Sequence, residues 1–429
     1  MKTRTAVWAA QYGNRPWRQR RSSMCEPMDI DGRPRPAGAR RKGKARPNAN
    51  AVLMEISEAG FETATAPAPA VSDQEKLQRA KGYPYPRPNS SFVFVNGHTY
   101  EFDDNTWEGM GGLEMLQMKT VHGQLSMAQV LKNHGAKWEL SSGQKLTPVL
   151  AVGSNAAPVQ LARKFPKMMF PDGVVIPVLR CVLPDFDVVY APLISSYGSC
   201  TATLEHSPGT AVALFVTYLQ PHLLERMDQT EGAYNLCQLT EVQLQIGVGL
   251  EDFRRGQIGK QIISTVYQYN HQHGSLYFPI EGMPLPKGIP IALKEIKAVD
   301  RVFPALDQID MQLACKHILS ALPSTSNGSG VAMLSPLQIP APQSATASGS
   351  AESSSSGRDL SQNGGHVQEP QRKWWQQRDD LDDWMLQNLN DGPRRLRMVE
   401  ALVKMATPFQ YAAFKLIKTL GNLNSENVS

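Results

Sequence analysis

From residue 92 onward, short apolar runs alternate with polar breaks. The runs are rich in β-branched and aromatic side chains, which is the pattern of strands. Phe92–Val95 and His98–Phe102 flank Asn96-Gly97, a pair that tolerates the backbone of a two-residue hairpin turn. Met127–His134 has the spacing of a short amphipathic helix. Val149–Val152 runs straight into Gly153-Ser154-Asn155, and a helical pattern follows over Val159–Phe165. That order predicts a buried strand, a tight turn and a helix start. Residues 173–183 are β-rich, with Pro177 marking an edge or a bulge, and Phe186–Tyr190 predicts another strand. Thr201–Leu204 and Ala211–Tyr218 predict two strands separated by a turn at Ser207-Pro208-Gly209-Thr210. Pro221–Met227 predicts a short helix with Leu223 and Leu224 on its apolar side. It ends in Asp228-Gln229-Thr230-Glu231-Gly232, and Tyr234–Leu239 is the next strand.

The pattern then weakens. Val242–Tyr267 reads as a helix pair or an insertion, Ser275–Phe278 and Ile289–Leu293 as short strands. Val302–Leu322 reads as a helix with Leu306, Ile309, Leu313, Ile318 and Leu319 on its apolar side. Four regions follow: a disordered basic region over 1–82, with a helix-capable piece at Val52–Glu58; a packed domain over 83–322 that opens with the hairpin; a Ser/Gly/Pro-rich linker over 323–371; and a helical segment over 372–429. The last contains amphipathic stretches at 373–389, which includes Trp374 and Trp375, and at 393–420. These are too small to build a core alone, so they either dock on the domain or bind a partner protein.

The net charge of +5 is local. Residues 1–46 hold thirteen Lys or Arg against Glu26, Asp29 and Asp31, so the remainder is mildly acidic and lacks a general nucleic-acid footprint. The Arg-rich tail suits a solvated disordered segment, an organelle transit peptide, nuclear import or a loose nucleic-acid tether. Cys25, Cys181, Cys200, Cys237 and Cys315 are odd in number and form no CxxC pair, so they read as reduced thiols in an intracellular, cytoplasmic protein, with organelle or nucleus as the tail's alternatives. No apolar run has membrane-spanning length.

Most chemical motifs are absent. His271 and His273 have i,i+2 spacing without a cysteine pair and read as exposed loop residues, so no metal site is expected. Gly247-Val248-Gly249 lacks the third glycine of a dinucleotide fingerprint, there is no phosphate-binding Gly-Lys-Ser/Thr loop, and no cofactor is expected. Ser154 does not sit in a nucleophile elbow. Cys200 reads as a buried structural thiol. Two features remain. The Gly153-Ser154-Asn155 turn can aim backbone N–H groups at a carboxylate or a polarised carbonyl oxygen. Glu231 lies at a helix-to-strand corner, with Leu223, Leu224 and Met227 nearby and Asp228 three residues earlier. A carboxylate half-buried beside a second one is placed for general acid–base work, and an exposed turn residue would fit the same sequence.

Taken together, Val149–Asn155 resembles the strand and Y-G-S-N loop that open the gamma-glutamylcyclotransferase-like fold. Pro208-Gly209, Ala211–Tyr218, Leu223-Leu224 and Met227–Tyr234 are similar to that family's second signature, which ends in L-D-x-x-E-G and an aromatic residue. The resemblance covers roughly residues 145–240. It implies an α+β domain, a small mixed β-barrel surrounded by helices, here with disordered tails. It implies Glu231 as catalytic acid/base and Val152, Gly153, Ser154 and Asn155 as the substrate-binding loop, acting on a gamma-glutamyl amine or peptide to release 5-oxoproline, without metal or cofactor. Val152 stands where the family has tyrosine, so a ring and a hydroxyl are missing from the loop. A non-catalytic ligand-binding or scaffold module of the same fold is the alternative expectation.

Overall fold

The computed structural model describes residues 71–104, 113, 116–121, 123–138, 145–278, 288–321, 378 and 380–421. Helix α1 (Asp73–Lys81) opens it, with a capping box between Ser72 and Glu75. This helix lies inside the 1–82 stretch expected to be disordered. The structured domain therefore begins ahead of Tyr83. The rest of the basic tail, the helix-capable piece at 52–58, the linker over 323–371 and Trp374/Trp375 fall outside the described residues.

Strands β1 (Phe92–Val95) and β2 (His98–Phe102) pair across Asn96-Gly97, with Val95 opposite His98. Both turn residues have positive φ, as that hairpin requires. Strands β3 (Gln117–Thr120) and β4 (Gly123–Ser126) extend this edge, and helix α2 (Met127–His134) follows as the spacing predicted. Then come β5 (Thr147–Ala151), α3 (Pro158–Lys164), β6 (Val175–Ile194), β7 (Cys200–Leu219), α4 (Pro221–Gln229), β8 (Tyr234–Ile246), the short α5 (Leu250–Arg254) and β9 (Gln261–His271).

The fold is mixed α+β around a closed five-stranded barrel. β6 pairs with β7, β7 with β5, β5 with β9, β9 with β8, and β8 returns to β6. All pairs are antiparallel except β5 with β9. Closure removes free edges from these strands. Much of the barrel interior is apolar, with Leu150, Val152, Val216, Leu239 and Val266 in one buried cluster, and the Gln268 side chain of β9, opposite Leu150, is buried with them. Outside it, α3 and α4 pack Leu161, Phe165, Leu223 and Met227 against Val149, Ala151, Leu236 and Tyr269. Leu223 and Met227, four residues apart on α4, form its buried stripe.

Several elements differ from the sequence expectation. Residues 175–194 form one strand instead of two, and so do residues 200–219. The Ser207–Thr210 turn exists locally, but it sits inside β7 as a bulge. Asp185 faces it and accepts a hydrogen bond from the Gly209 N–H at 2.9 Å. Pairing with β6 resumes on both sides, so the chain does not reverse. The expected helix pair at 242–267 is instead the β8–β9 hairpin; Val242, Leu244 and Ile246 alternate with exposed or half-exposed polar residues, a strand period. His271, read as an exposed loop residue, ends β9 buried at 2% exposure. Burial lowers its pKa to about 3. Among the described residues no group of three His, Cys, Asp or Glu side chains is placed to hold a metal ion.

The remaining strands are β10 (Ser275–Phe278), β11 (Ile289–Pro290), β12 (Ala292–Leu293), β13 (Ala298–Val299) and β14 (Ala305–Leu306). Helix α6 (Gln308–Ala321) begins after Leu306, so Leu306 belongs to a strand and not to the helix. Helices α7 (Leu381–Asn390) and α8 (Gly392–Val403) dock on the domain, with Leu381, Met385, Val399 and Leu402 buried in the main core. The expected helix over 393–420 stops at Val403. After β15 (Ala406–Thr407), β16 (Phe414–Thr419) pairs antiparallel with β8, from Phe414 opposite Leu239 to Thr419 opposite Asn235. Among the described residues no helix is long and apolar enough to cross a membrane.

Glu205 on β7 is buried and accepts a hydrogen bond from the Ser275 hydroxyl. Burial pushes its carboxyl up to about 7. A carboxyl whose folded pKa lies above its ordinary 4.5 stabilises the fold fully below pH 4.5 and loses that contribution as pH rises through about 7. Glu205→Gln should therefore flatten the fall in urea midpoint between pH 5 and pH 8. A pH profile parallel to wild type would rule Glu205 out as its source.

Candidate functional site

β5 carries the chain to Ala151, and Gly153 bends it into a single 3-10 turn over Ser154–Ala156 before α3 starts at Pro158. Proline suits this first helical position because its missing N–H would have no helical partner there. α3 runs through two turns and places Lys164 at its end, where Leu161 and Phe165 are buried against the barrel. On the other side, α4 ends at Gln229. The chain then tightens through hydrogen bonds from Thr230 N–H to Met227 O and Glu231 N–H to Asp228 O before β8 opens at Tyr234. The two corners meet.

The meeting point is a three-membered polar cluster. The Asn155 side-chain amide donates to Glu231 Oε1 at 3.0 Å. The Lys164 ammonium donates to the same oxygen, to Asn155 Oδ1 at 2.8 Å and to Met227 Sδ at 3.4 Å. Lys164 and Glu231 are both buried, with side-chain exposures of 7% and 10%. A buried carboxylate needs such compensation, because an isolated charge in a low-dielectric interior is very costly. Both contacts use Oε1, so Oε2 is left outside this cluster. Asp228 does not share this cluster. It accepts from the Tyr269 hydroxyl at 2.8 Å and pairs with Lys418 of β16 at 2.8 Å. The two carboxylates singled out in the sequence thus have separate ammonium partners.

A cavity of about 380 Å³ opens here. Val152, Gly153, Ser154, Asn155 and Glu231 all line it, so every residue named from the sequence as a site residue faces one space. Four tyrosines, Tyr83, Tyr197, Tyr234 and Tyr269, form much of the remaining wall, and Gly421 beyond β16 reaches its rim. The volume falls within the range of small-molecule pockets, and the lining is polar as well as aromatic, with Gln160, Ser195, Ser196, Thr201, Gln229 and Thr230 beside the residues already named. Burial raises the pKa of Tyr83, Tyr234 and Tyr269 well above the ordinary tyrosine value, and the Glu231 charge acts in the same direction. All three are therefore neutral hydroxyls at physiological pH. Cys200 begins β7 beside this wall but is buried 3.9 Å from the Cys315 sulfur, and its thiol pKa is pushed well up. It is not an activated nucleophile.

The sequence reading did not find Lys164, Tyr83, Tyr197 or Tyr269 as site residues. Lys164 is a basic residue near a helix C-terminus, an ordinary placement on an exposed helix. Only the Leu161/Phe165 spacing hints that this end of α3 turns inward. Tyr83 lies outside the two-motif region altogether, in the Tyr83-Pro84-Tyr85-Pro86 stretch.

No family model, curated protein or solved structure matches this chain.

Proposed function

We propose that the domain is a gamma-glutamylcyclotransferase-like enzyme that cyclises a gamma-glutamyl amine or peptide to 5-oxoproline. One observation carries this reading. The 153–155 loop and Glu231, 76 residues apart in the chain, line one cavity and are joined by the Asn155 amide. Glu231 Oε2 takes a proton from the substrate's α-ammonium. The freed amine attacks its own gamma-carbonyl and forms the ring C–N bond. The original amide C–N bond breaks as Glu231 returns the proton to the departing nitrogen, and the second proton shed by the ring nitrogen passes to the released amine. Ring closure is intramolecular, so holding the chain in a reactive conformation supplies much of the rate. Lys164 and Asn155 fix the carboxylate through Oε1, which leaves Oε2 in a defined direction.

Purified protein incubated with gamma-glutamyl amines and dipeptides should release 5-oxoproline. Absence of product from every substrate would favour the second reading, a binding module of the same fold. Val152, which adds no hydroxyl to the loop, and Gly421 at the cavity rim are the features that favour it.

The lining also ranks substrates. Lys164 is the one basic side chain among the described lining residues, and it is already committed to Glu231 and Asn155. A second substrate carboxylate would find no cation. The kcat/KM of a gamma-glutamyl alkylamine should exceed that of a gamma-glutamyl dipeptide by about tenfold, equivalent to about 1.4 kcal/mol. Equal values for the two would remove the charge argument.

A further inference from the structure

Tyr83 enters the cavity from a segment that neither sequence motif includes. Helix α1 is held on the barrel by the Ser199 hydroxyl, which donates to Ala80 O at 2.8 Å. Three residues later the Ala202 N–H donates to the Tyr83 hydroxyl at 3.0 Å. Two ties, one from Ser199 just ahead of β7 and one from Ala202 within it, thus place Tyr83, which is 4% exposed. Its oxygen lies against Gly153: a Cβ added there would be 2.1 Å from it. Gly153 has φ −109° and ψ −117°, and its missing side chain makes room for the Tyr83 phenol.

The hydroxyl proton has a further property. Tyr234 directs its proton to Thr201 Oγ1 at 2.8 Å, and Tyr269 directs its own to Asp228 Oδ1 at 2.8 Å. Tyr83 accepts a hydrogen bond through its oxygen, and its own proton is available to an acceptor in the cavity. A polarised donor at the start of the 153–155 loop is where an acyl oxygen would need one.

We infer that the Tyr83 hydroxyl donates to the gamma-carbonyl oxygen of the substrate, so that the 72–89 segment completes the site at the loop where Val152 brings no hydroxyl. This rests on the cyclotransferase reading. As the substrate amine adds to the carbonyl carbon, negative charge collects on that oxygen and the Tyr83 hydrogen bond strengthens. When the original C–N bond breaks, the charge returns to the carbonyl and the bond relaxes. Tyr83 keeps its proton throughout, and the proton delivered to the leaving amine comes from Glu231.

The test compares wild type, Tyr83→Phe, Gly153→Ala and Glu231→Gln on one gamma-glutamyl alkylamine, with kcat and KM measured separately and thermal unfolding followed for each. Tyr83→Phe should lower kcat by about 10²-fold, the loss typical of removing one oxyanion donor, with KM changed less than about threefold. Gly153→Ala keeps the hydroxyl but drives a methyl group into it, and should lose kcat in the same direction. If Tyr83→Phe does not fold, Gly153→Ala decides the question. Wild-type kcat in folded Tyr83→Phe or Gly153→Ala, beside an inactive Glu231→Gln, overturns the role of Tyr83 and leaves the cyclotransferase reading standing. No 5-oxoproline from wild type with any gamma-glutamyl substrate overturns both.

Discussion

Glu231→Gln should reduce 5-oxoproline formation by about 10³-fold, within the 10²–10⁴ range that a positioned general acid–base contributes. The substitution is well suited to the question. Glutamine retains a carbonyl oxygen where Oε1 stands, so the Asn155 amide and the Lys164 ammonium keep their acceptor. What it removes is the capacity of Oε2 to take and return a proton. The tyrosines and the 153–155 loop keep their side chains, but the buried Lys164 ammonium loses its counter-charge, so unfolding of the variant is followed beside its kinetics. KM should therefore move little while kcat collapses, the signature of an interaction needed only along the reaction path. Steady-state kinetics on a gamma-glutamyl alkylamine measures both. Turnover equal to wild type would show that Glu231 is not the acid/base, whatever else the cavity does.

The second large effect is on stability. Lys164→Met leaves the Glu231 carboxylate buried without its ammonium, and breaking a buried pair from one side costs about 3–5 kcal/mol. Side-chain exposures of 7% and 10% mean that little of this is screened by solvent. The Asn155 amide still donates to the carboxylate but brings no compensating positive charge. Lys164→Met/Glu231→Gln should recover much of the loss, because the double variant removes both charges together. Urea denaturation of the two single variants and the double closes the cycle. A cost below about 1 kcal/mol for Lys164→Met would mean that the pair does not carry the buried charge balance argued for it.

These two experiments separate chemistry from architecture at the same carboxylate. Lys164 supports Glu231 by charge and by geometry, whereas Oε2 performs the proposed proton transfer. A variant that folds but does not turn over belongs to the second role, and one that unfolds belongs to the first.

Legibility in the sequence followed the range over which each interaction acts. The Asn96-Gly97 hairpin was readable because a pair that tolerates positive φ at both positions stands between Phe92–Val95 and the aromatic-bearing His98–Phe102. So were α2 and the β5-turn-α3 corner, where the 3.6-residue period and the turn residues act within a dozen positions. The turn at Ser207–Thr210 is legible as local geometry, but the sequence places it between two strands and the structure places it within one. Whether such a turn ends a strand depends on whether a partner strand continues beside it, and β6 does. The strand 414–419 was read as helix because Phe414-Lys-Leu-Ile-Lys has no strong period, and its conformation is imposed by pairing with β8.

By itself the sequence determined which residues could do chemistry. Glycine, serine and asparagine at 153–155 follow an apolar strand, and Glu231 follows a helix with one buried stripe. Those are consequences of side-chain size, capping and periodicity, and they are local. The tertiary structure decided what those residues face. Closure of β5 through β9 brings the two corners to one cavity. Burial then requires a counter-charge for Glu231, which α3 supplies as Lys164. Helix α1, docked through Ala80, brings in Tyr83 against Gly153. Ion pairing in a low-dielectric interior and contact between distant segments have no signature in neighbouring residues. For that reason Lys164 and Tyr83 could be found only once the barrel had closed.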